Sequence, residues 1–165
     1  MELDEVIKQR RSIRSYKKEA PDISLIKQCI EAACQAPSAH NSQPWHFVIV
    51  SNEDKKKELA KTHSHTSFLK DAPYVVTVLA DESKSSHYVK DCSAAVMLFL
   101  LKAAELGLGA CWTDASSQDR EDHIRKTLGL TNKYRVLCNI PVGYPDEEPK
   151  EKGIMSFEEA TDVVE

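Results

Sequence analysis

Two stretches of this chain concentrate side chains able to do chemistry. The first is Arg10-Arg11-Ser12-Ile13-Arg14, three guanidinium groups and a hydroxyl within five residues. A guanidinium is a planar fork of donors that matches phosphate oxygens, and the serine hydroxyl adds a further donor. Bases also complement the C-terminal end of a helix. Short basic runs are common, so this run by itself favours that plainer role. The second stretch is Ala36-Pro-Ser-Ala-His-Asn-Ser-Gln-Pro-Trp-His-Phe47. Pro37 and Pro44 bracket Ser38, Asn41, Ser42 and Gln43, giving a stiff loop rich in amide and hydroxyl groups. Such a loop can read the edge of a flat heterocycle. It can equally be a polar connection closed by side-chain turns.

The remaining reactive residue types are less organised. His63 and His65 lie two apart, but no third ligand stands nearby, so a surface loop is favoured over a metal site. His40 and His46 flank the polar loop as possible proton sources, with His46 equally suited to a structural role. Cys111 has no neighbouring base to activate it, which favours packing. Trp45 and Trp112 read as core residues. The five cysteines, Cys29, Cys34, Cys92, Cys111 and Cys138, are odd in number and contain no CxxC. They read as buried free thiols.

The elements that must position these groups follow from periodicity. Residues 2 to 11 have helical spacing, with acids early and bases late. Asp22 or Ser24 caps a second helix that Pro37 ends. Trp45 to Val50 and Tyr74 to Ala80 read as strands, with an exposed, charged helix over 53 to 62 between them. The helix from His87 to Leu106 is apolar around its whole circumference at Ala94 to Leu101. It must be covered on every side by the fold or by another subunit. Ala110 to Thr113 is a short strand candidate, Ser117 caps a helix reaching about Leu128, and Arg135 to Val142 is the last clear strand. The sum is about five helices and four strands, interspersed as in an α/β or α+β domain. After Pro145 the chain is polar and too short for its own core, so residues of about 146–165 form a tail that packs on the domain or on a neighbour, or else is disordered.

Composition limits the classes. The 165 residues form one domain, with 41% hydrophobic and 29% charged residues. That excludes collagen-like and disordered chains. A formal charge of -4 disfavours a nucleic-acid binder. The longest fully apolar run, Ala94 to Leu101, is far short of the roughly 20 residues a spanning helix needs. The acidic N-terminus lacks a signal peptide's features. No membrane association and a cytoplasmic location are therefore expected.

Taken in order, these stretches resemble the nitroreductase family of FMN-dependent oxidoreductases. The likeness rests on Arg10 to Tyr16, on Ala36 to Phe47, on Leu106-Gly-Leu-Gly-Ala-Cys-Trp-Thr-Asp114, and on Val142-Gly-Tyr-Pro145 with Pro149-Lys-Glu-Lys152. It spans almost the whole chain. The resemblance implies an α+β three-layer sandwich, with a mixed, mainly antiparallel sheet flanked by helices. It also implies a homodimer holding two FMN molecules at its interface, with the C-terminal tail swapped onto the partner. The apolar helix would be the dimer core.

By the same resemblance, Arg10 and Ser12 meet the FMN phosphate, joined by Lys150 and Lys152, with Arg11 assisting. Arg14 lies near the pyrimidine edge, where a cation stabilises charge on the reduced ring. Pro37, Ser38 and Ala39 run along the ring and ribityl chain, Asn41 bonds the ring edge, and His65 approaches the ribityl chain. Asp114 and Ala115 present backbone N–H groups to N5 and O4. No catalytic side chain is required, because the flavin carries the chemistry. Four features depart from the family pattern. No inserted lid is present, Ala39 stands where a hydroxyl residue is common, Lys152 replaces a frequent arginine, and Asp114-Ala115 stands where some members have Glu-Gly, which leaves open which of the two amides faces N5.

The implied activity is hydride transfer from NADH or NADPH through FMN to a small electron-poor acceptor, such as a nitroaromatic or a quinone, in a ping-pong cycle. The alternatives are a specialised reductase on the same scaffold, acting on an enone or a halogenated phenol, and a non-catalytic flavin-binding protein. A module binding another phosphorylated ligand or RNA is the remaining class.

Overall fold

The computed structural model describes residues 2–149 and 151–164. The first helix, α1 (Leu3–Gln9), opens with a reciprocal capping box between Glu2 and Glu5. Helix α2 (Ile23–Ala33) starts where the Asp22 carboxylate accepts the Ser24 N–H at 2.8 Å. It buries Ile26, Cys29 and Ala33, one face at helical spacing. Strand β1 (Trp45–Val50) leads to α3 (Glu53–Leu59), capped by the Asn52 side chain on the Lys55 N–H at 3.0 Å. Strand β2 (Tyr74–Ala80) precedes the long helix α4 (Tyr88–Glu105). Two short strands follow, β3 (Gly109–Ala110) and β4 (Thr113–Asp114), then α5 (Gln118–Leu128). Strand β5 (Arg135–Gly143) completes the sheet, and α6 (Phe157–Ala160) lies in the tail.

The sheet order is β1-β2-β5-β3, with β4 also paired to β5. Every strand pairing among the described residues is antiparallel, and the isolated bridge between Ser12 and Ala110 is parallel. Because β2 occupies one edge of β5, β3 and β4 share the other edge. The expected single strand over Ala110 to Thr113 is thus two short ones interrupted at Cys111 and Trp112. With α6, the described residues hold six α-helices and five strands, one more of each than periodicity indicates.

Alternation along β2 creates two cores. Val76, Val78 and Ala80 face α2 and α4, packing with Ile26, Val96 and Phe99. Val75 and Leu79 face α3 and α5, packing with Leu59, Leu69 and Ile124. The result is a three-layer α+β sandwich. Two polar side chains lie between strands and are satisfied there, because the Thr77 hydroxyl donates to the Asn139 side-chain oxygen at 2.7 Å.

Within a single chain α4 is not covered on all sides. Val89 and Met97 are 50% and 40% exposed. Beside them α1, which packs on α4, leaves Leu3 and Ile7 in solvent. The tail is likewise uncovered at Ile154, Met155, Phe157, Val163 and Val164. One cysteine departs from expectation: Cys34, in the last turn of α2, is exposed, and the other four are buried. No helix among the described residues is long and apolar enough to cross a membrane.

Candidate active site

The basic run lies where α1 ends and the chain enters the sheet edge. Ile13 is its inward anchor: its side chain is buried and its N–H donates to the Ala110 carbonyl at 3.0 Å. The approach is so close that a Cβ on Gly109 would sit 2.7 Å from Ile13. The buried Tyr16 hydroxyl, within reach of the Ile13 carbonyl at 2.5 Å and the Pro141 carbonyl at 3.2 Å, holds the other end. Burial pushes that phenol well above its ordinary pKa, so it stays protonated. The root of the tail is tied here too. Lys17 N–H donates to the Tyr144 carbonyl at 2.9 Å, and the Glu147 carboxylate accepts from the Arg14 and Ser15 N–H groups at 2.5 and 3.1 Å.

With Ile13 pointing inward, its basic neighbours face two clefts. Arg10 and Arg11 line one of about 200 Å³ with Leu100, Gly109, Glu147 and Pro149. Arg10 is half-buried and has no ion pair among the described residues. Arg11 folds back, its guanidinium donating to the Lys8 carbonyl and to the Arg10 carbonyl, the latter at 3.0 Å. The helix-end role therefore holds for Arg11. Ser12 is exposed and lines neither cleft. Arg14 lines the second, of about 270 Å³, with His65, Phe68, Trp112, Asp114 and Arg120. Its guanidinium lies 6.0 Å from the centre of the Phe68 ring.

Strand alternation decides which amide the second cleft can use. The N–H groups of Cys111 and Ala115 donate to the Pro141 and Leu137 carbonyls, each at 3.3 Å. The N–H of Asp114 lies between them in the alternation, so it points away from β5, off the free edge of the sheet. Ala115 is fully buried in the core with its N–H committed to the sheet, and it lines neither cleft. The Asp114 carboxylate is held by the Ser116 hydroxyl at 2.6 Å and by Arg120 at 2.8 Å. Behind it, α5 is fastened to β5 through Glu121. The Arg135 guanidinium meets both Glu121 oxygens, and Arg125 and the Val136 N–H donate to one of them at 3.1 and 3.0 Å. Burial raises the Glu121 pKa, but these donors outweigh it and hold the carboxyl below its ordinary range.

His63 accepts the His65 N–H at 3.1 Å on Nδ1, and both rings line the second cleft. No group of three metal-ligating side chains exists among the described residues. Burial raises the pKa of Cys111, which leaves a neutral thiol and no activated nucleophile. His46 stacks on Tyr134, its ring centre 5.1 Å away, a structural role. Trp112 departs from its core assignment: it is 37% exposed and lines the cleft.

The polar loop stands apart from both clefts. Ala39–Asn41 form a 3-10 turn, and His40, Asn41 and Gln43 adopt left-handed φ values of 54°, 54° and 45°. Ser38 Oγ accepts the Gln43 N–H at 3.0 Å, and the Ala39 N–H donates to Asp91 at 3.0 Å. Pro37, Ser38, Ala39 and Asn41 line neither cleft of their own chain. Lys152 is exposed in the tail, and Lys150 lies outside the described residues. Phe68 and Arg120 line the second cleft without belonging to any sequence motif. Only the pairing of Asp114 with Arg120, six residues apart across a turn, brings Arg120 in, and no helical or strand period marks that spacing.

The sequence profile of the Nitroreductase family matches residues 7–64 and 60–144. A protein of Methanothermobacter thermautotrophicus, named for NADH dehydrogenase and NAD(P)H nitroreductase activity, is 38% identical over 90% of this chain and 80% of its own. A crystal structure of the same description from Parabacteroides distasonis superposes with a TM-score of 0.91 at 34% identity, over 94% of each chain. An FMN-dependent nitroreductase of Clostridium difficile superposes at 0.85 with 33% identity, over 90% of each chain. From its basic run to its last strand, this chain belongs to the nitroreductase family.

Proposed function

We propose that this protein is an FMN-dependent oxidoreductase that carries hydride from NADH or NADPH to small electron-poor acceptors, nitroaromatics or quinones among them. The observation that carries the reading is one cleft lined by Arg14, Phe68 and Asp114, in which the Arg14 guanidinium lies 6.0 Å from the centre of the Phe68 ring. A cation beside an apolar face, with the Asp114 amide left free by strand alternation, suits a flat ring that gains negative charge on reduction. The relatives' names add the cofactor and the nicotinamide donor.

FMN, when bound, supplies the hydride-accepting centre that no side chain here provides. Arg14 would steady negative charge at the pyrimidine edge, and His65, which lines the same cleft, would approach the ribityl chain. The Asp114 N–H would donate toward N5, with Ala115 behind it in a supporting position. Arg10 and Ser12 would hold the phosphate, with Lys150 and Lys152 from the tail. Arg11 would act by closing the α1 terminus.

The site is proposed to be complete only in a homodimer. The uncovered stripe of α4 with Leu3 and Ile7 supports a second copy docking there. The apolar tail supports an exchange in which it reaches the partner's sheet. That Pro37, Ser38, Ala39 and Asn41 line neither of the two clefts described supports their acting across the interface.

The test is the visible spectrum of the purified protein, followed anaerobically with NADH and then NADPH. A bound flavin that bleaches with either donor and recovers with a quinone or nitroaromatic upholds the reading. A flavin that never bleaches makes the protein a flavin carrier. Recovery only with an enone or a halogenated phenol makes it a specialised reductase.

A further inference from the structure

Asp91 has no part in the clefts described above, yet it is one of the few buried acids in the chain. It sits in the first turn of α4, and its side chain reaches the polar loop 52 residues earlier in sequence. One carboxylate oxygen accepts the Ala39 N–H at 3.0 Å, and the other accepts the Ser85 hydroxyl at 2.6 Å. Ser85 is buried as well, and its oxygen accepts the His87 N–H at 3.0 Å. The chain Ala39–Asp91–Ser85–His87 thus ties the loop to the start of the longest helix.

The loop needs such a tie. Three non-glycine residues in the left-handed region, His40, Asn41 and Gln43, each hold a conformation that side chains disfavour. Such a conformation persists only where the surroundings fix it. Within the loop, Gln43 bonds Ser38 and Asn41. Asp91 supplies the side-chain anchor from outside it, placed on Ala39 just before the strained residues begin. A bond from a charged acceptor is stronger than one between neutral groups.

We propose that Asp91 is a positioning residue for flavin binding: its carboxylate fixes Ala39, and so fixes the presentation of Pro37, Ser38 and Asn41 to the cofactor. The inference rests on the FMN reading above. Asp91 touches no cofactor on this account and acts through the loop. Asparagine at position 91 keeps an acceptor for the Ala39 N–H, whereas alanine removes it.

The experiment compares wild type, Asp91→Ala, Asp91→Asn and Ser85→Ala by FMN titration of the apoprotein, by the flavin absorption spectrum, and by thermal melting without FMN. Asp91→Ala is expected to weaken FMN binding roughly tenfold and to shift the flavin band, with Asp91→Asn recovering most of the affinity. Ser85→Ala, which leaves the Ala39 bond in place, is expected to weaken it by about threefold and serves if the alanine variant at 91 does not fold. An Asp91→Ala or Ser85→Ala protein that melts earlier but matches wild type in FMN affinity and spectrum overturns the proposal, since the acid would then only support α4. Wild-type protein that takes up no FMN overturns the flavin reading, and this inference falls with it.

Discussion

Arg135 on β5 and Glu121 on α5 meet through two parallel hydrogen bonds, at 3.0 Å from Nε and 2.8 Å from the terminal nitrogen. Glu121 is 1% exposed, so its charge is balanced almost entirely by Arg135, Arg125 and the Val136 N–H. Removing one partner of a buried pair leaves the other uncompensated. Glu121→Ala is expected to destabilise the fold by about 3 kcal/mol, read as a fall of roughly 6–12 °C in melting temperature.

The same residue gives a pH dependence. Its carboxyl titrates lower in the folded protein than in the unfolded chain. The stability it contributes is therefore complete above the unfolded value of about 4.3 and is lost as pH falls through the folded value. Melting temperature should decline below about pH 4.3, and Glu121→Gln should remove part of that slope. Scanning calorimetry between neutral and acid pH compares the two.

Arg10 is half-buried and unpaired among the described residues, in a cleft beside the root of the tail. A dianionic phosphate there would lose a charge-assisted partner in Arg10→Ala. FMN affinity should drop by about 10- to 100-fold, the range of a hydrogen bond to a charged group. Unchanged affinity in a fluorescence titration removes Arg10 from the cofactor site.

Gly109 marks the closest approach of the sheet edge to the basic run. An alanine there collides with Ile13, whose Cβ would be 2.8 Å from the new methyl. Ile13 cannot retreat without displacing Arg10 and Arg14 on either side of it. Gly109→Ala should cost about 1–3 kcal/mol of stability and weaken FMN binding as well. Chemical denaturation and cofactor titration together check both effects.

Met97 lies in the uncovered stripe of α4. A carboxylate placed there would be buried without a partner if two chains meet on this face. Met97→Glu is expected to sediment as a monomer and to lose flavin, whereas wild type sediments as a dimer. In the wild-type enzyme, donor and acceptor sharing one cleft should give parallel double-reciprocal plots. Intersecting plots would refute the alternating cycle.

Much of the frame is legible in the residues. Trp45–Val50 and Tyr74–Ala80 are bounded as β-branched runs and by Pro73 and Pro44, and the Asp22 cap is a local interaction needing only Ser24. The charged helix shortens to Glu53–Leu59, because Thr62 turns back to bond the Leu59 carbonyl. What stayed hidden depends on distant partners. His40 and Asn41 are of the types most tolerant of the left-handed region, yet nothing in their spacing singles them out, and the bonds that hold the loop, from Gln43 to Ser38 and Asn41 and from Ala39 to Asp91, form only in the fold. Asp91 looks like any polar position on a helix until Ala39 arrives beside it. Trp112 reads as a core residue by its type, but it falls in the break between β3 and β4 and lines the cleft. Ala115 followed the family pattern by number, while strand alternation leaves the free amide to Asp114.

The place of β5 in the sheet governs the order in which the chain can be made. It is the strand shared by β2, β3 and β4, yet it is the last of them to be synthesised. A nascent polypeptide halted before Arg135 can pair β1 with β2, but the other edge of β2 and the short strands β3 and β4 lack the neighbour they pair with. Completion of the sheet must therefore await β5, and the β1–β2 pair with helices α2 and α4, rich in local contacts, are the parts able to form beforehand. A chain that ends early leaves its unpaired strands open to aggregation.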